Sequence, residues 1–452
     1  MDYVFARKAL LPTGWAADVR VSVEDGRIGT VETAASARAG DCITGCIIPG
    51  LANAHSHAFQ RALAGRTEER APAGRDNFWT WRKRMYDLAA VIDAGALYAI
   101  ARQAYTEMLE AGYTAVAEFH YLHNPNDADR CDDTMFDALR RACADSGMRM
   151  TYVPVLYERA GFDKPQPEGS QTLFALSLQE FLAHFDRVHD QGSELLSTGI
   201  GAHSLRAVSE ASLQEIANVA ADHGVPMHLH IAEQQREVDQ CMAAHSRRPV
   251  RWLLENHDVD DRWCLVHATH MDPDEVDALA ESGAVAVLCP STEANLGDGL
   301  FGLRPYLASG GRIAIGSDSH ISINPFEELR WLEYGQRLAS QSRNVSAFDD
   351  AHVGRELFKR VLEGGVQASG QGISGLEEGA PADLVALDDG DPMLLGHGDE
   401  SRLDALVFSG YRLPIDRVMV AGRWCVVDGM HVTRADSRAV YGDTLARLEL
   451  AR

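Results

Sequence analysis

The chain has no long apolar run, no basic start followed by an apolar stretch, and no excess of positive charge. Its apolar runs stay well short of the ~20 residues that a membrane-spanning helix needs, and the opening MDYVFARKALLPTGW lacks the pattern of a secretory signal. Its 42 Lys and Arg residues stand against 66 Asp and Glu, which gives a formal charge of −24. Binding to nucleic acids or anionic membranes requires a positive surface, so we expect a cytoplasmic protein that binds neither.

Paired cysteines are also missing. The eight cysteines are scattered, and none stands in a Cys-x-x-Cys pair. Cys42 and Cys46 are close enough in sequence to form a disulfide or half of a zinc site, but no second pair follows them. The pattern therefore favours reduced, mostly buried thiols over a fold held together by disulfides.

What the chain does have is a series of apolar, β-rich runs that alternate with helical stretches from Thr114 onward. The runs are TAVAEFHY, MRMTYVPVLY, GIGAHSLRA, VPMHLHIAE, DRWCLVHATH, AVAVLCPST and RIAIGSDSH. Together with IIPGLANAHSH they make eight candidate strands. Continuous apolar strands separated by helices are typical of a parallel sheet, and eight such βα units predict an α/β fold, a closed (β/α)8 barrel of the TIM type.

The two ends of the 452-residue chain do not follow this pattern. Short, alternating strand candidates such as ADVRVSVEDGRIGTVE and RVMVAGRWCVVDG predict that the ends pair into one small β-sandwich beside the barrel. We expect its two parts at 1–50 and 374–432, with the barrel at 51–373 between them. A C-terminal helix is expected at 433–452.

Histidines and an aspartate stand where several of these strands end, which is the face of such a barrel that carries active sites. His55 and His57 follow the first strand at positions i and i+2, so both imidazoles can point the same way. His230 ends the fifth strand and Asp318 the eighth, although His228 shares a face with His230 by alternation and either could be the ligand. A lone His-x-His pair is often two ordinary histidines, but three imidazoles and a carboxylate together suit zinc or iron(II).

These strand-end motifs resemble those of a known enzyme superfamily. PGLANAHSHAFQ, HIAE, LVHATH and GSDSH, in this order and spacing, resemble the amidohydrolase superfamily. More narrowly, FWTWR, AEFHYLH, AHSLRAV, STEANLGDG and ELRWLEYGQR resemble its formimidoylglutamate deiminases, which act in histidine degradation. The resemblance covers essentially the whole chain and implies the barrel, the β-sandwich and a homodimer. It also selects His230 as the ligand and implies one divalent ion per chain, zinc in the first place and iron(II) as the alternative.

The resemblance further implies three catalytic residues. His267 would stand beside the bound water and accept its proton together with Asp318, which is also a metal ligand. Glu233 would deliver a proton to the substrate nitrogen. Without the resemblance, Glu233 could be a surface or helix-capping carboxylate, and His267 could be only a hydrogen-bonding neighbour of the site.

A small dicarboxylate substrate needs cationic partners, and planar guanidinium groups bind carboxylates with two parallel hydrogen bonds. The resemblance places Arg82 and Arg206 in the pocket for this purpose, although Arg82 alone could be a solvated helix residue. The full set of substrate-binding residues that it implies is Gln60, Arg82, Tyr121, His203 and Arg206. Four aromatic residues at helical spacing could be pocket walls, core or subunit interface: Trp79, Trp81, Trp331 and Tyr334.

Two other functions are compatible with parts of this pattern. Another deaminase of the same superfamily, acting on a nucleobase or a guanidine-like substrate, would share the metal centre but lack the paired arginines. A noncatalytic binding or assembly relative would be expected to lose metal ligands, whereas this chain keeps all four together with Glu233 and His267.

Overall fold

A computed structural model describes residues 2–70, 76–124, 132–372, 375–410 and 412–450 of the protein. The strands, in chain order, are β1 (Asp2–Leu11), β2 (Gly14–Glu24), β3 (Arg27–Glu32), β4 (Cys42–Pro49), β5 (Leu51–Ser56), β6 (Tyr113–His120), β7 (Arg149–Leu156), β8 (Leu196–Thr198), β9 (Ile200–Ser204), β10 (Met227–Ile231), β11 (Trp263–His267), β12 (Val285–Leu288), β13 (Arg312–Ile315), β14 (Leu384–Leu387), β15 (Ile415–Val420), β16 (Arg423–Val427) and β17 (Met430–His431).

The helices follow the same chain order. They are α1 (Phe78–Ala89), α2 (Ala94–Glu110), α3 (Thr134–Ser146), α4 (Leu178–His189), α5 (Glu210–His223), α6 (Gln235–His245), α7 (Pro249–Asn256), α8 (Pro273–Ser282), α9 (Pro290–Leu296), α10 (Leu303–Ala308), α11 (Pro325–Ser340), α12 (Val353–Ser369), α13 (Arg402–Phe408) and α14 (Arg434–Arg447). Two 3₁₀ helices lie at Ala58–Leu63 and Gly169–Leu173. None of the helices in the described part of the chain is both long and apolar enough to span a membrane.

The predicted barrel is confirmed. Its parallel strands follow the order β5-β6-β7-β9-β10-β11-β12-β13, and the short β8 pairs with β7. The residue after β13 that completes the circle is Asp318, whose backbone nitrogen donates to the carbonyl of His55 over 3.0 Å. In return, the nitrogen of His57 donates to the carbonyl of Asp318 over 3.1 Å. The first and last strands of the barrel therefore meet at the segments that carry His55, His57 and Asp318.

Continuous apolar sequence accounts for the barrel strands. Every residue of β6, β7, β10, β11 and β12 is buried, as expected for a sheet that is covered on both faces. Local signals fix the ends of the surrounding helices. Ser177 and Glu180 form a capping box at the start of α4, and Gly224 ends α5 with a left-handed φ of +63° that suits glycine.

Both chain ends build one small β-module, as predicted. Its strand order is β17-β16-β15-β14-β4-β1-β2-β3, so that β14 from the C-terminal part pairs directly with β4 from the N-terminal part. The strands form a single hydrogen-bonded sheet that curls on itself. Ile28 on the edge strand β3 exchanges backbone hydrogen bonds of 2.8 Å with Gly379 and Ala380, which precede β14 in the middle of the same sheet. A separate apolar core fills the module. The expected boundary between 373 and 374 falls on residues outside the described ones.

The β-module and the C-terminal helix are tied to the barrel by a buried ion pair and by an exposed one. Arg149 on β7 donates two hydrogen bonds of 2.9 Å to Asp383, just before β14. On the other side, α14 packs against α2, and Arg447 pairs with Asp93 over 2.7 Å. The seven cysteines in the described part of the chain are free, and six of them are buried; Cys131 lies outside it.

Candidate metal centre and active site

Three imidazoles converge at the C-terminal mouth of the barrel. The Nε2 atom of His55 lies 3.1 Å from Nε2 of His57 and 3.0 Å from Nε2 of His230. In a tetrahedral zinc site with Zn–N bonds near 2.0–2.1 Å, neighbouring nitrogens lie about 3.3 Å apart. The three nitrogens thus already have the spacing of ligands around one small ion.

The remaining ring atoms and the protonation of these histidines fit the same role. Nδ1 of His57 donates to the carbonyl of Phe119 over 2.8 Å, and Nδ1 of His230 donates to the carbonyl of His203 over 3.0 Å. Such bonds fix the ring orientation and leave Nε2 free to bind an ion. Burial lowers the pKa of His55, His57 and His230, so the rings are neutral, as metal binding requires.

His228 and His230 have different neighbours in the structure. His230 lies with His55 and His57 in a group whose nitrogens could hold one ion. His228 lies away from the other imidazoles, and its Nε2 bonds to the carbonyl of Ala368 on α12 over 2.9 Å. Of the two, His230 therefore remains the predicted ligand.

Asp318 lies between the three imidazoles and His267. Its Oδ1 atom is 3.3 Å from Nε2 of His57 and 3.7 Å from Nε2 of His55. Its Oδ2 atom is 3.6 Å from Nε2 of His267. One carboxylate therefore faces the candidate metal position with one oxygen and His267 with the other.

His267 is surrounded by carboxylates. Its Nδ1 donates to Oε1 of Glu293 over 3.1 Å, which leaves Nε2 directed towards Asp318 and towards Oε1 of Glu233 at 3.9 Å. Burial by itself lowers the pKa of His267, but Glu233, Glu293 and Asp318 outweigh it and raise the pKa to about 10. Burial raises the pKa of Glu233 to about 7. The two groups are thus placed and tuned to exchange protons with a bound molecule.

The backbone is held in an uncommon conformation where these side chains leave their strands. His267 has a φ of +70° and Asp318 a φ of +45°, and Ala232, between His230 and Glu233, has a φ of +50°. Positive φ values cost energy for residues other than glycine and concentrate at functional sites. Here they turn the side chains out of the strand direction and into the barrel mouth.

The predicted substrate-binding residues line the same pocket. It has an empty volume of about 520 Å³ and contains His57, His230, His267 and Asp318 together with all five of these residues: Gln60, Arg82, Tyr121, His203 and Arg206. Nε2 of Gln60 donates to the hydroxyl of Tyr121 over 2.8 Å. Oε1 of Gln60 and Nη1 of Arg206 are buried without a hydrogen-bond partner among the described residues. These unpaired polar atoms indicate that the pocket binds a polar molecule.

Aromatic residues of α1 close the pocket. Phe78 and Trp81 line it directly. The ring of Trp79 lies beside the guanidinium groups of three arginines, with ring-to-carbon distances of 5.4 Å for Arg82, 5.9 Å for Arg206 and 4.5 Å for Arg236. Trp331 and Tyr334 lie on α11 instead and remain 42% and 37% exposed.

Several residues of the site were missed by sequence reasoning. Glu293 and Asp298 lie in the STEANLGDG segment after β12, where Glu293 binds His267 and Asp298 accepts a hydrogen bond from the side chain of Gln234, next to Glu233. Glu118 on β6 accepts hydrogen bonds from Ser56 and from the backbone of Ala58, and so fixes the His55–His57 segment. A carboxylate inside the apolar run TAVAEFHY was the one available signal.

Comparison with known proteins agrees with this geometry. Residues 46–425 match the model of the amidohydrolase family, and residues 1–44 match the model of the formimidoylglutamate deiminase HutF N-terminal domain. The chain is 48% identical over 456 residues to the formimidoylglutamate deiminase of Pseudomonas aeruginosa, covering 99% of this chain and 100% of that protein. It is 28% identical over 395 residues to a 5-methylthioadenosine/S-adenosylhomocysteine deaminase of Haloquadratum walsbyi, covering 84% and 81% of the two chains.

A solved structure extends the comparison to three dimensions. An amidohydrolase from Brucella melitensis superposes with a TM-score of 0.95 at 40% sequence identity, over 100% of both chains. The fold, the histidines and aspartate at the strand ends and the full-length similarity lead to the same assignment. The chain belongs to the metal-dependent amidohydrolase family and, within it, to the formimidoylglutamate deiminases.

Proposed function

We propose that the protein hydrolyses N-formimino-L-glutamate to N-formyl-L-glutamate and ammonia, a step of histidine degradation, with one divalent ion per chain. The observation that carries the proposal is a single pocket that is lined both by His57, His230, His267 and Asp318 of the imidazole and carboxylate cluster and by Arg82 and Arg206. The cluster supplies hydrolytic chemistry, and the arginines match a small dicarboxylate. The 48% identity to a formimidoylglutamate deiminase supports the same substrate.

The ion would be held by His55, His57, His230 and Oδ1 of Asp318. Three neutral imidazole nitrogens and one carboxylate oxygen form a donor set that suits zinc, and we propose zinc with iron(II) as the alternative. When bound, the ion would supply an activated water at neutral pH as the nucleophile. No lysine takes part in the cluster among the described residues, which supports a centre for one catalytic ion.

His267 is assigned the role of general base. Its Nδ1 proton is donated to Glu293, so Nε2 faces the space beside Asp318, where the attacking water must lose its proton. In the metal-free protein the surrounding carboxylates raise the pKa of His267 and hold a proton on Nε2 as well. The positive charge of a bound divalent ion would oppose these carboxylates and leave Nε2 free to accept the proton of the water. The carboxylate of Asp318 stabilises the imidazolium that results. Proton transfer of this kind typically contributes 10²- to 10⁴-fold to a rate.

Glu233 is assigned the role of proton donor to the leaving nitrogen. Burial keeps its pKa at about 7, so that a useful fraction is protonated at neutral pH. The reaction is HN=CH–NH–R + H₂O → O=CH–NH–R + NH₃: a carbon–oxygen bond forms, the bond to the terminal nitrogen breaks, and that nitrogen leaves as ammonia after protonation. The 3.9 Å between Oε1 of Glu233 and Nε2 of His267 lets one group receive a proton while the other delivers one.

The carboxylates of the substrate would bind to the arginines and the neutral hydrogen-bonding groups of the pocket. Arg206 offers a buried Nη1 without a partner in the described part of the chain. Arg82 is held by a 3.3 Å hydrogen bond to the hydroxyl of Tyr157 and by the rings of Trp79 and Tyr86. The pair Gln60 and Tyr121 offers hydrogen-bonding groups next to His57, and His203 stands between them and Arg206 along the pocket wall.

The test is ammonia release from N-formimino-L-glutamate by the metal-loaded protein. Guanine, cytosine and N-formimino-L-aspartate serve as comparators. We expect release from the glutamate derivative and none from the nucleobases. Release from a nucleobase would contradict the proposed substrate, and no release from any compound would contradict an enzymatic role. Elemental analysis of the same sample identifies the ion and its amount per chain.

We also propose that the protein is a cytoplasmic homodimer. Trp331, Tyr334 and Leu338 on α11 are 42%, 37% and 77% exposed, and Leu300 beside this helix is 56% exposed. Large apolar side chains grouped on one surface are typical of a protein interface. Light scattering after size-exclusion chromatography measures the mass in solution, and a monomeric mass would contradict the dimer.

A further inference from the structure

A second group of potential metal ligands lies beside the proposed ion. Nε2 or Nδ1 of His267, Sγ of Cys289 and a carboxylate oxygen of Asp318 all lie within 4.8 Å of one another, and the three residues are buried. Cys289 directly follows β12, and its backbone nitrogen donates a hydrogen bond to the carboxylate of Glu293, which also binds His267. The thiol has no part in the proposed reaction.

The two oxygens of Asp318 separate the two groups. Oδ1 faces His55 and His57, and Oδ2 faces His267. A carboxylate with one oxygen towards each of two cation positions is the arrangement that bridges paired metal ions in hydrolases. Asp318 can therefore keep its bond to the first ion while its other oxygen binds a second one.

The charge around His267 also favours a cation. Besides Asp318, the carboxyl groups of Glu233 and Glu293 each have an oxygen within 4 Å of its ring nitrogens. Burial raises the pKa of Asp298 to about 9, so this group is neutral at pH 7 and adds no negative charge. A buried region with more carboxylates than cations lowers its energy by binding a positive ion.

We propose that His267, Cys289 and Asp318 form a second, weaker site for a thiophilic divalent cation, such as Cd²⁺ or excess Zn²⁺, and that its occupation stops turnover. The proposal rests on the proposed function for the ion already held by the three histidines. A donor set of imidazole, thiolate and carboxylate selects Zn²⁺ and Cd²⁺ over Mg²⁺ or Ca²⁺.

The relative strength of the two sites follows from their geometry. In the first site, Nε2 of His55 lies 3.0–3.1 Å from Nε2 of His230 and of His57, whereas Nε2 of His267 and Oδ2 of Asp318 in the second lie 3.6 Å apart. The first site also offers four donors for a tetrahedral ion, whereas the second offers three and shares Asp318 with the first. The Cys289 thiol must also release its proton to solvent as the sulfur–metal bond forms.

Inhibition follows from the ligands themselves. Nε2 of His267 is the atom assigned to accept the proton of the attacking water. Once Nε2 binds a cation, its lone pair is occupied and proton transfer stops. The second ion therefore acts on the chemical step and leaves the arginines of the pocket free, so that excess zinc or cadmium lowers kcat.

The experiment starts from protein dialysed to one equivalent of zinc and titrates it with CdCl₂. Absorption of the thiolate-to-cadmium charge-transfer band, bound metal and ammonia release are followed together. For the unaltered protein we expect the band to grow with a second bound equivalent while turnover falls. Cys289→Ser should lack the band and retain the first equivalent. The CdCl₂ concentration that halves the rate of this variant, relative to its own uninhibited rate, should be at least about tenfold higher than for the unaltered protein. Even residues that only contact a metal ligand contribute 10- to 100-fold to metal affinity.

Cys241→Ser, which alters another buried thiol on α6, is the matched control and should behave like the unaltered protein. If Cys289→Ser does not fold, Cys289→Ala supplies the same measurement. No charge-transfer band, or a band that persists in the Cys289 variants, would overturn the second site. A protein with one equivalent of zinc and no ammonia release would instead overturn the proposed function, whatever the absorption shows.

Discussion

Replacing Arg206 with methionine tests how the pocket recognises its substrate. Arg206 is 8% exposed, and its buried Nη1 has no partner in the described part of the chain. Methionine keeps much of the side-chain volume but removes the charge. A hydrogen bond to a charged group contributes about 1.5–3 kcal/mol, which corresponds to roughly a 10- to 150-fold change in binding. We expect KM for N-formimino-L-glutamate to rise by this factor in Arg206→Met, with a much smaller effect on kcat.

Arg236→Met is the matched control, because Arg236 lies 4.5 Å from the same Trp79 ring but is not among the described residues that line the pocket. Steady-state kinetics of both variants should be measured with the dicarboxylate and with two analogues, each lacking one carboxylate. The analogue without the partner of Arg206 should show little difference between Arg206→Met and the unaltered protein. An unchanged KM in Arg206→Met, or an equal rise in Arg236→Met, would refute the assignment.

Three further predictions concern the catalytic base, a buried carboxyl group and the ion. His267→Asn should abolish ammonia release and leave the metal content, measured by elemental analysis, unchanged. Asp318→Asn should lower both the ammonia release and the metal content. Normal turnover in His267→Asn would exclude the assigned role of His267 as the base. Burial raises the pKa of Glu328 to about 8 in the folded protein, above its value in the unfolded chain. The folded state therefore favours the protonated carboxyl group, and the contribution of this group to the free energy of unfolding is full at low pH and is lost as pH rises through 8. Between about pH 5 and pH 8, urea unfolding should therefore show a loss of stability that is smaller in Glu328→Gln, by up to about 1.4 kcal/mol per pH unit; parallel pH profiles would contradict this. Removal of the ion by a chelator should lower Tm, and zinc should restore it, because an ion that binds only the folded state stabilises it; an unchanged Tm would speak against the site.

The barrel was predictable because its strands are continuous apolar runs, a pattern that depends on local sequence alone. The metal cluster was predictable for a related reason. Parallel strands bring their C-terminal ends to one face, so His55, His57, His230 and Asp318 had to meet there once the barrel was assumed. The choice between His228 and His230 was less certain, because strand alternation gives both the same face, and the bond of His228 to Ala368 depends on how α12 packs against the barrel.

The residues that support the site were harder to find, because their positions depend on loops. Glu293 lies in the first turn of α9 and reaches back to Cys289 and His267. Nothing in the local pattern of STEANLGDG distinguishes this glutamate from one that caps a helix. Asp298 and the aromatic wall of α1 likewise come into place only through long connections between strands, whose paths alternation and periodicity do not determine.

The join between β5 and the segment after β13 has a consequence for folding. The backbone bonds that complete the circle run between His55, His57 and Asp318, so three of the four proposed ligands are also the residues that close the barrel. A chain that has not yet brought its eighth strand to its first has no binding site, and an ion that binds afterwards holds the two together. If the proposed ligands hold the ion, turnover requires the whole barrel to have formed, and a substitution far from the pocket that opens this junction would abolish activity by releasing the ion.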